Sequence, residues 1–120
     1  MTPADGNELY GLPTAAELTE AVIEFLEKDV ADELSGRRRF HLRVAVNALN
    51  IVKRELELNT EHMQTRDETL TALGVSSERE LAEAVQKGDI PDGPQLREAL
   101  RALVTARLQV NNPTYLETYT

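Results

Sequence analysis

Apolar positions recur at helical rather than alternating spacing along nearly the whole chain. Leu18, Val22, Phe25, Leu26 and Leu34 follow one another on one side of a first segment, with Glu17, Glu20, Glu24 and Glu27 toward the other. That is the pattern of an amphipathic helix. Thr14 and Glu17 form a capping-box pair, in which hydroxyl and carboxylate each satisfy a backbone N–H that the first turn leaves free. Ser35-Gly36 is the expected stop.

A second helix is expected over residues 37–58. At about 100° per residue, Phe40, Leu42, Val44, Ala45, Ala48, Leu49, Ile51, Val52 and Leu56 spread over roughly 200° of its circumference. An arc that wide predicts a central helix touched by several neighbours. The remaining strip carries Arg43, Asn50, Lys53, Arg54 and Glu57, with Asn47 at its border. Asn47 is expected to be a buried amide bonded to a neighbouring backbone, Asn50 a surface residue, and His41 a core or boundary imidazole rather than a base.

A third, more polar helix is expected over residues 61–73, anchored by Leu70 and Leu73 and stopped by Gly74. Ser77 with Glu80 makes a second capping pair ahead of Leu81, Ala84 and Val85, and Gly88 ends that helix. Pro94 suits the first turn of a fifth helix carrying Leu96, Leu100, Leu103, Val104 and Leu108, which Asn111-Asn112-Pro113 should terminate. Residues 1–13, with Pro3, Gly6, Gly11 and Pro13, read as a flexible arm. The expected architecture is all-α: one domain, residues 14–120, built as a bundle of four or five helices around the helix at 37–58.

Composition narrows the class. The chain has 120 residues, no cysteine and a formal net charge of −8, which argues against general binding to nucleic acid or anionic membranes. No basic-then-apolar leader or bilayer-length apolar run is present, so a soluble cytoplasmic protein is expected. The charge is unevenly placed. Residues 1–35 carry nine acids and Lys28, residues 36–54 carry six bases and no acid, and residues 55–120 carry twelve acids and six bases. One basic island therefore sits between acidic flanks.

Catalytic signatures are missing. His41 and His62 fall on different expected elements without carboxylates at zinc-site spacing, the six glycines stand singly, and there is no Gly-x-Ser-x-Gly turn. No metal, no cofactor and no catalytic residue is expected, and the protein is not expected to be an enzyme on its own.

What remains is the island Arg37, Arg38, Arg39 and Arg43, with Asn47, Asn50 and Arg54 further along the same helix. Cations at a helix start oppose the macrodipole, so something should compensate them. One solution is internal pairing with Glu27, Asp29, Asp32 and Glu33 at the end of the preceding helix. The other is an anion site, in which free N–H groups and guanidinium forks meet a phosphate or a partner's carboxylates.

The stretch from Gly36 to Leu56, GRRRFHLRVAVNALNIVKREL, resembles a small all-helical bacterial family of unknown function whose genes lie beside aminoglycoside-phosphotransferase-like kinases and acyl-CoA dehydrogenases. The resemblance extends to the helix at 18–34, the helix at 100–110 and the ending Asn112-Pro113-x-Tyr115, and is weaker over 60–92. It places family-pattern residues at Arg39, Phe40, His41, Arg43, Asn47, Arg54 and Glu55. It implies a catalytically silent accessory subunit of a kinase that acts on hydroxyacyl-CoA in acid catabolism, with an acyl-CoA dehydrogenase as a further partner. Arg37, Arg38, Arg39, Phe40, His41, Arg43, Asn47, Asn50 and Arg54 are the candidate ligand- or partner-binding residues. The alternatives are a small CoA- or phosphate-binding protein and a structural homodimer that buries the excess apolar arc.

Overall fold

The computed structural model describes residues 11–119. Of the arm expected over residues 1–13, only the last three positions fall among them. The described residues form five α-helices and no strand: α1 (Ala15–Phe25), α2 (Gly36–Ala72), α3 (Glu78–Lys87), α4 (Pro94–Asn111) and α5 (Pro113–Tyr119). The all-α expectation holds.

The chain divides into two compact units, Met1–Leu58 and Asn59–Thr120. The first is a helical hairpin. Thr14 opens α1 with the expected reciprocal bonds: the Glu17 N–H donates to Thr14 Oγ1 and the Thr14 N–H to Glu17 Oε1, both at 3.1 Å. After Phe25 the helix does not stop but loosens into a π-helical turn, Leu26–Val30, and then tightens into a 3-10 turn, Ala31–Glu33. Arg39 beside Asp32 and Lys53 bonded to Glu20 show the first part of α2 running back antiparallel to α1. Ile23 of α1 and Val46 of α2 are the buried apolar residues of this pair.

Helix α2 differs from expectation in length. It continues through residues 59–60, so the separate helix expected at 61–73 is its C-terminal half. The apolar periodicity fades after Leu58, but a helix propagates on backbone bonds and needs a breaker to end it. None lies between Gly36 and Gly74, where neither glycine nor proline occurs. Intrahelical bonds bridge the polar stretch, from Gln64 to Glu68 at 3.2 Å and from the Thr69 hydroxyl to the Thr65 carbonyl at 2.7 Å. The end is a left-handed cap: Gly74 has φ 78, its N–H donates to the Thr71 carbonyl at 2.9 Å, and Val75 N–H donates to the Leu70 carbonyl at 3.0 Å.

The second unit has a conventional core. Leu70, Leu81 and Leu96 are buried together, with Leu73, Val75, Ile90 and Leu103 packed against them. Ser77 caps α3 by accepting from the Glu80 N–H at 3.1 Å. The Glu80 carboxylate turns instead to Ser76, accepting from its N–H at 2.8 Å and its hydroxyl at 3.0 Å. Those two donors hold the Glu80 carboxyl below its ordinary pKa. Gly88 ends α3 at φ 81, as expected, and Pro94 opens α4. Asn112-Pro113 ends α4 but also starts α5, because Asn112 Oδ1 accepts from the Tyr115 N–H at 3.3 Å and Pro113 fits a first helical turn.

Burial on α2 corrects the expectation of an enclosed apolar arc. Phe40, Val44, Val52 and Leu56 are substantially exposed, and in the first unit the helix meets α1 through the side that carries Leu42, Val46 and Lys53. A two-helix hairpin can cover only one narrow stripe of each member. His41, expected in the core or at its boundary, is exposed, and so is Asn47, expected as a buried amide.

Candidate functional site

The antiparallel hairpin builds a cleft of about 400 Å³ between the π-helical end of α1 and the first turns of α2. Arg39, Arg43, Asn47 and Asn50 line it from α2, with Leu42 and Val46 at its floor, and Glu27 and Ala31 form the facing wall. Arg39, Arg43, Asn47 and Asn50 follow at i, i+4, i+8 and i+11, so successive turns of one helix project two guanidinium forks and two amides to one side. Glu27 of the opposite wall stands in the π turn and Ala31 in the 3-10 turn that follows, and π insertions recur at functional sites.

The structure separates the predicted residues into groups. Arg39, Arg43, Asn47 and Asn50 come together in the cleft. Arg54 lies one turn beyond Asn50 and is half-buried. Arg37 does not join them: its Nε donates to His41 Nε2 at 3.2 Å, and the His41 ring sits edge-on to Phe40 with centroids 5.7 Å apart. Arg38 is exposed.

Internal neutralisation of the island is slight. Arg39 approaches Asp32 at 4.0 Å, a long contact between two exposed side chains. Among the described residues, Arg38 and Arg43 form no ion pair. Lys53, by contrast, is engaged: its ammonium donates to Glu20 at 2.7 Å, and that bond raises its pKa above the ordinary lysine value.

Chemically, two guanidinium groups and two amides suit recognition of carboxylate or phosphate oxygens, with Glu27 able to accept from a donor beside the anion. No group of three or more His, Cys, Asp or Glu side chains that could hold a metal occurs among the described residues. Nor is any helix there long and apolar enough to cross a membrane.

The sequence places Glu27 among the four acids expected beside the arginine island, but not as a cleft wall, since nothing in LEKDV announces a π turn. A second cleft, of about 420 Å³, was missed as well. It lies between α3 and α4, is lined by Leu81, Val85, Leu100 and Val104, and is edged by the pair Arg107–Glu78 at 2.8 Å.

A family model described as a domain of unknown function, DUF6285, matches residues 32–115. The chain belongs to the DUF6285 family. No curated protein and no solved structure matches it. The DUF6285 span holds all of α2, α3 and α4 and with them Arg39, Arg43, Asn47 and Asn50. It begins after α1, so Glu27 and Ala31 of the facing wall, and the 18–34 helix of the resemblance, precede it except for its last residues.

Proposed function

We propose that the chain is a non-catalytic accessory subunit that docks on an aminoglycoside-phosphotransferase-like kinase acting on a hydroxyacyl-CoA in acid catabolism, with an acyl-CoA dehydrogenase as a further partner. The observation that carries this reading is the cationic margin of α2. Arg38 and Arg43 are without ion pairs among the described residues, and Arg39 holds its acid only at 4.0 Å. Phe40 and Val44, both exposed, lie next to that margin on the helix surface. Arginine forks beside exposed apolar side chains are the composition of an interface anchor, where the fork takes a carboxylate and the stem and its neighbours cover apolar area. The choice of kinase rests on the family resemblance of the α2 segment.

Co-expression with the candidate kinase followed by size-exclusion chromatography tests it. Co-elution and a change in kinase rate are expected for the wild type, and both should be lost in Arg38→Ala/Arg39→Ala/Arg43→Ala. Separate elution with an unchanged rate would reject the proposal.

A second reading is favoured by the cleft itself, whose 400 Å³ falls within the range of small-ligand sites. Here the CoA phosphates contact Arg39 and Arg43 directly in this chain. Calorimetry of the isolated protein with CoA separates the readings, because docking alone gives no heat.

A further inference from the structure

The cleft between α1 and α2 holds its polar groups in a definite order. The pairs Lys53–Glu20 and Arg39–Asp32 set the level of the antiparallel helices, which puts Glu27 opposite residues 44–46 of α2. Along α2 the cleft therefore runs from two guanidinium groups, Arg39 and Arg43, past the Glu27 carboxylate to two amides, Asn47 and Asn50. At about 1.5 Å per residue, the arginine pair and the amide pair are centred about 11 Å apart along the helix axis. Leu42 and Val46 give the stretch between them an apolar floor. Among the described residues, Glu27, Arg43, Asn47 and Asn50 make no ion pair and no side-chain hydrogen bond. Glu27 and Arg43 thus share a cleft of about 400 Å³ without neutralising each other.

That order discriminates among anions. Inorganic phosphate or a simple carboxylate would use the arginines alone and would bring nothing for Glu27 or the amides to bond. A ligand that fills the cleft carries an anion at one end, hydrogen-bond donors at the level of Glu27, and an edge with both donor and acceptor at the far end. A nucleotide has those groups in that sequence: phosphate, ribose hydroxyls, base. Carboxylates accept from ribose hydroxyls in dinucleotide sites. An asparagine amide matches adenine, whose N6–H donates and whose N7 accepts, whereas guanine presents two acceptors on the same edge.

Taking the cleft as a ligand site, as the second reading above does, we infer that it holds an adenosine 5′-phosphate group. Arg39 and Arg43 grip the phosphates, Glu27 accepts from the ribose hydroxyls, and Asn47 and Asn50 read the adenine edge. Free adenine nucleotides and CoA share this chemistry, and Glu27 separates them. CoA carries a phosphate on the ribose 3′ oxygen, which sets a second anion at the level of the carboxylate. ADP and dephospho-CoA, whose ribose is unsubstituted, fit better.

Calorimetry of the full-length protein with ADP, GDP, CoA and dephospho-CoA tests this. ADP and dephospho-CoA should bind alike, with CoA and GDP each weaker by about tenfold or more. Glu27→Gln should raise the affinity for CoA toward that for dephospho-CoA, and Asn47→Ala/Asn50→Ala should bring ADP and GDP together. Arg43→Ala should weaken all four. Glu27, Arg43 and Asn47 are exposed and Asn50 is half-buried, so far-UV circular dichroism of the variants should match the wild type. No heat with any of the four overturns the inference together with the ligand reading of the cleft. Binding of CoA without ADP, or affinities indifferent to the base, the 3′-phosphate and Glu27→Gln, overturns the inference alone and leaves that reading standing.

Discussion

Lys53 of α2 donates to Glu20 of α1 across the hairpin at 2.7 Å, with both side chains only partly exposed, at 29% and 39%. This bond closes the hairpin at the end opposite its turn. It raises the pKa of Lys53, chiefly through the hydrogen bond itself. A raised lysine pKa contributes stability that is fully present below the ordinary lysine value and is lost as pH rises through the folded-state value. Thermal unfolding of the wild type should therefore fall more steeply at alkaline pH than that of Glu20→Gln, and the two profiles should converge at the top of the range. Parallel profiles would show that the bond does not persist in solution.

On the acid side Glu80 contributes: its carboxylate accepts from the N–H and hydroxyl of Ser76. Its pKa is lowered, first by the backbone donor and then by the hydroxyl. The contribution is present above the ordinary carboxylate value and is lost as pH falls through the lowered one. Stability of the wild type should drop on acidification below about pH 4, and Glu80→Gln should flatten that part of the curve. The neighbouring cap is tested separately: Ser77→Ala removes the acceptor for the Glu80 N–H and should cost about 1 kcal/mol in urea unfolding.

Two substitutions on the C-terminal half of α2 gauge where its packing energy lies. Leu70 is 1% exposed and sits in the core with Leu81 and Leu96, whereas Met63 is 56% exposed. Leu70→Ala should lower stability by about 2–5 kcal/mol, and Met63→Ala by no more than about 0.5 kcal/mol. Urea unfolding of the two variants measures both, and comparable losses would contradict the assignment of the core.

How legible was this in the sequence? Local signals with a stereochemical cause translated directly. The Thr14–Glu17 pair, the Ser77 cap, Pro94 at a helix start and the left-handed caps at Gly74 and Gly88 all fall where the chain places them. Signals that depend on what surrounds a helix did not. The apolar arc of α2 was visible, but periodicity gives the width of an apolar surface and not the number of helices available to cover it, so Phe40 and Val44 were expected inside and stand outside. The apolar pattern fades at residues 59–60, but no breaker stands there and the helix continues. Asn112-Pro113 carries a stop signal and a start signal at once, so a helix follows where only a termination is expected. At the site, the α2 residues were found because cations at a helix start are electrostatically anomalous. Glu27 was expected near them as a pairing acid, but the cleft it walls was not, because the π turn that shapes it has no sequence signature.

The arginine margin makes a prediction in which stability and binding move in opposite directions. Arg37, Arg38 and Arg39 occupy the first turn of α2, where each cation opposes the helix dipole by about 0.3–1 kcal/mol when exposed. Arg38→Ala should leave the melting temperature unchanged or slightly higher while weakening association with an acidic partner. Loss of stability in that variant, followed by calorimetric unfolding, would mean that the side chain serves the fold.

Hydrogen–deuterium exchange of the full-length chain, alone and with the kinase, tests the central claim most directly, since it locates the surface instead of reporting only that association occurs. The account predicts slower exchange in the first turns of α2, over residues 37–50, and in the facing turn at 26–31. Protection confined to α3, α4 and α5, with residues 26–50 unchanged, would contradict it.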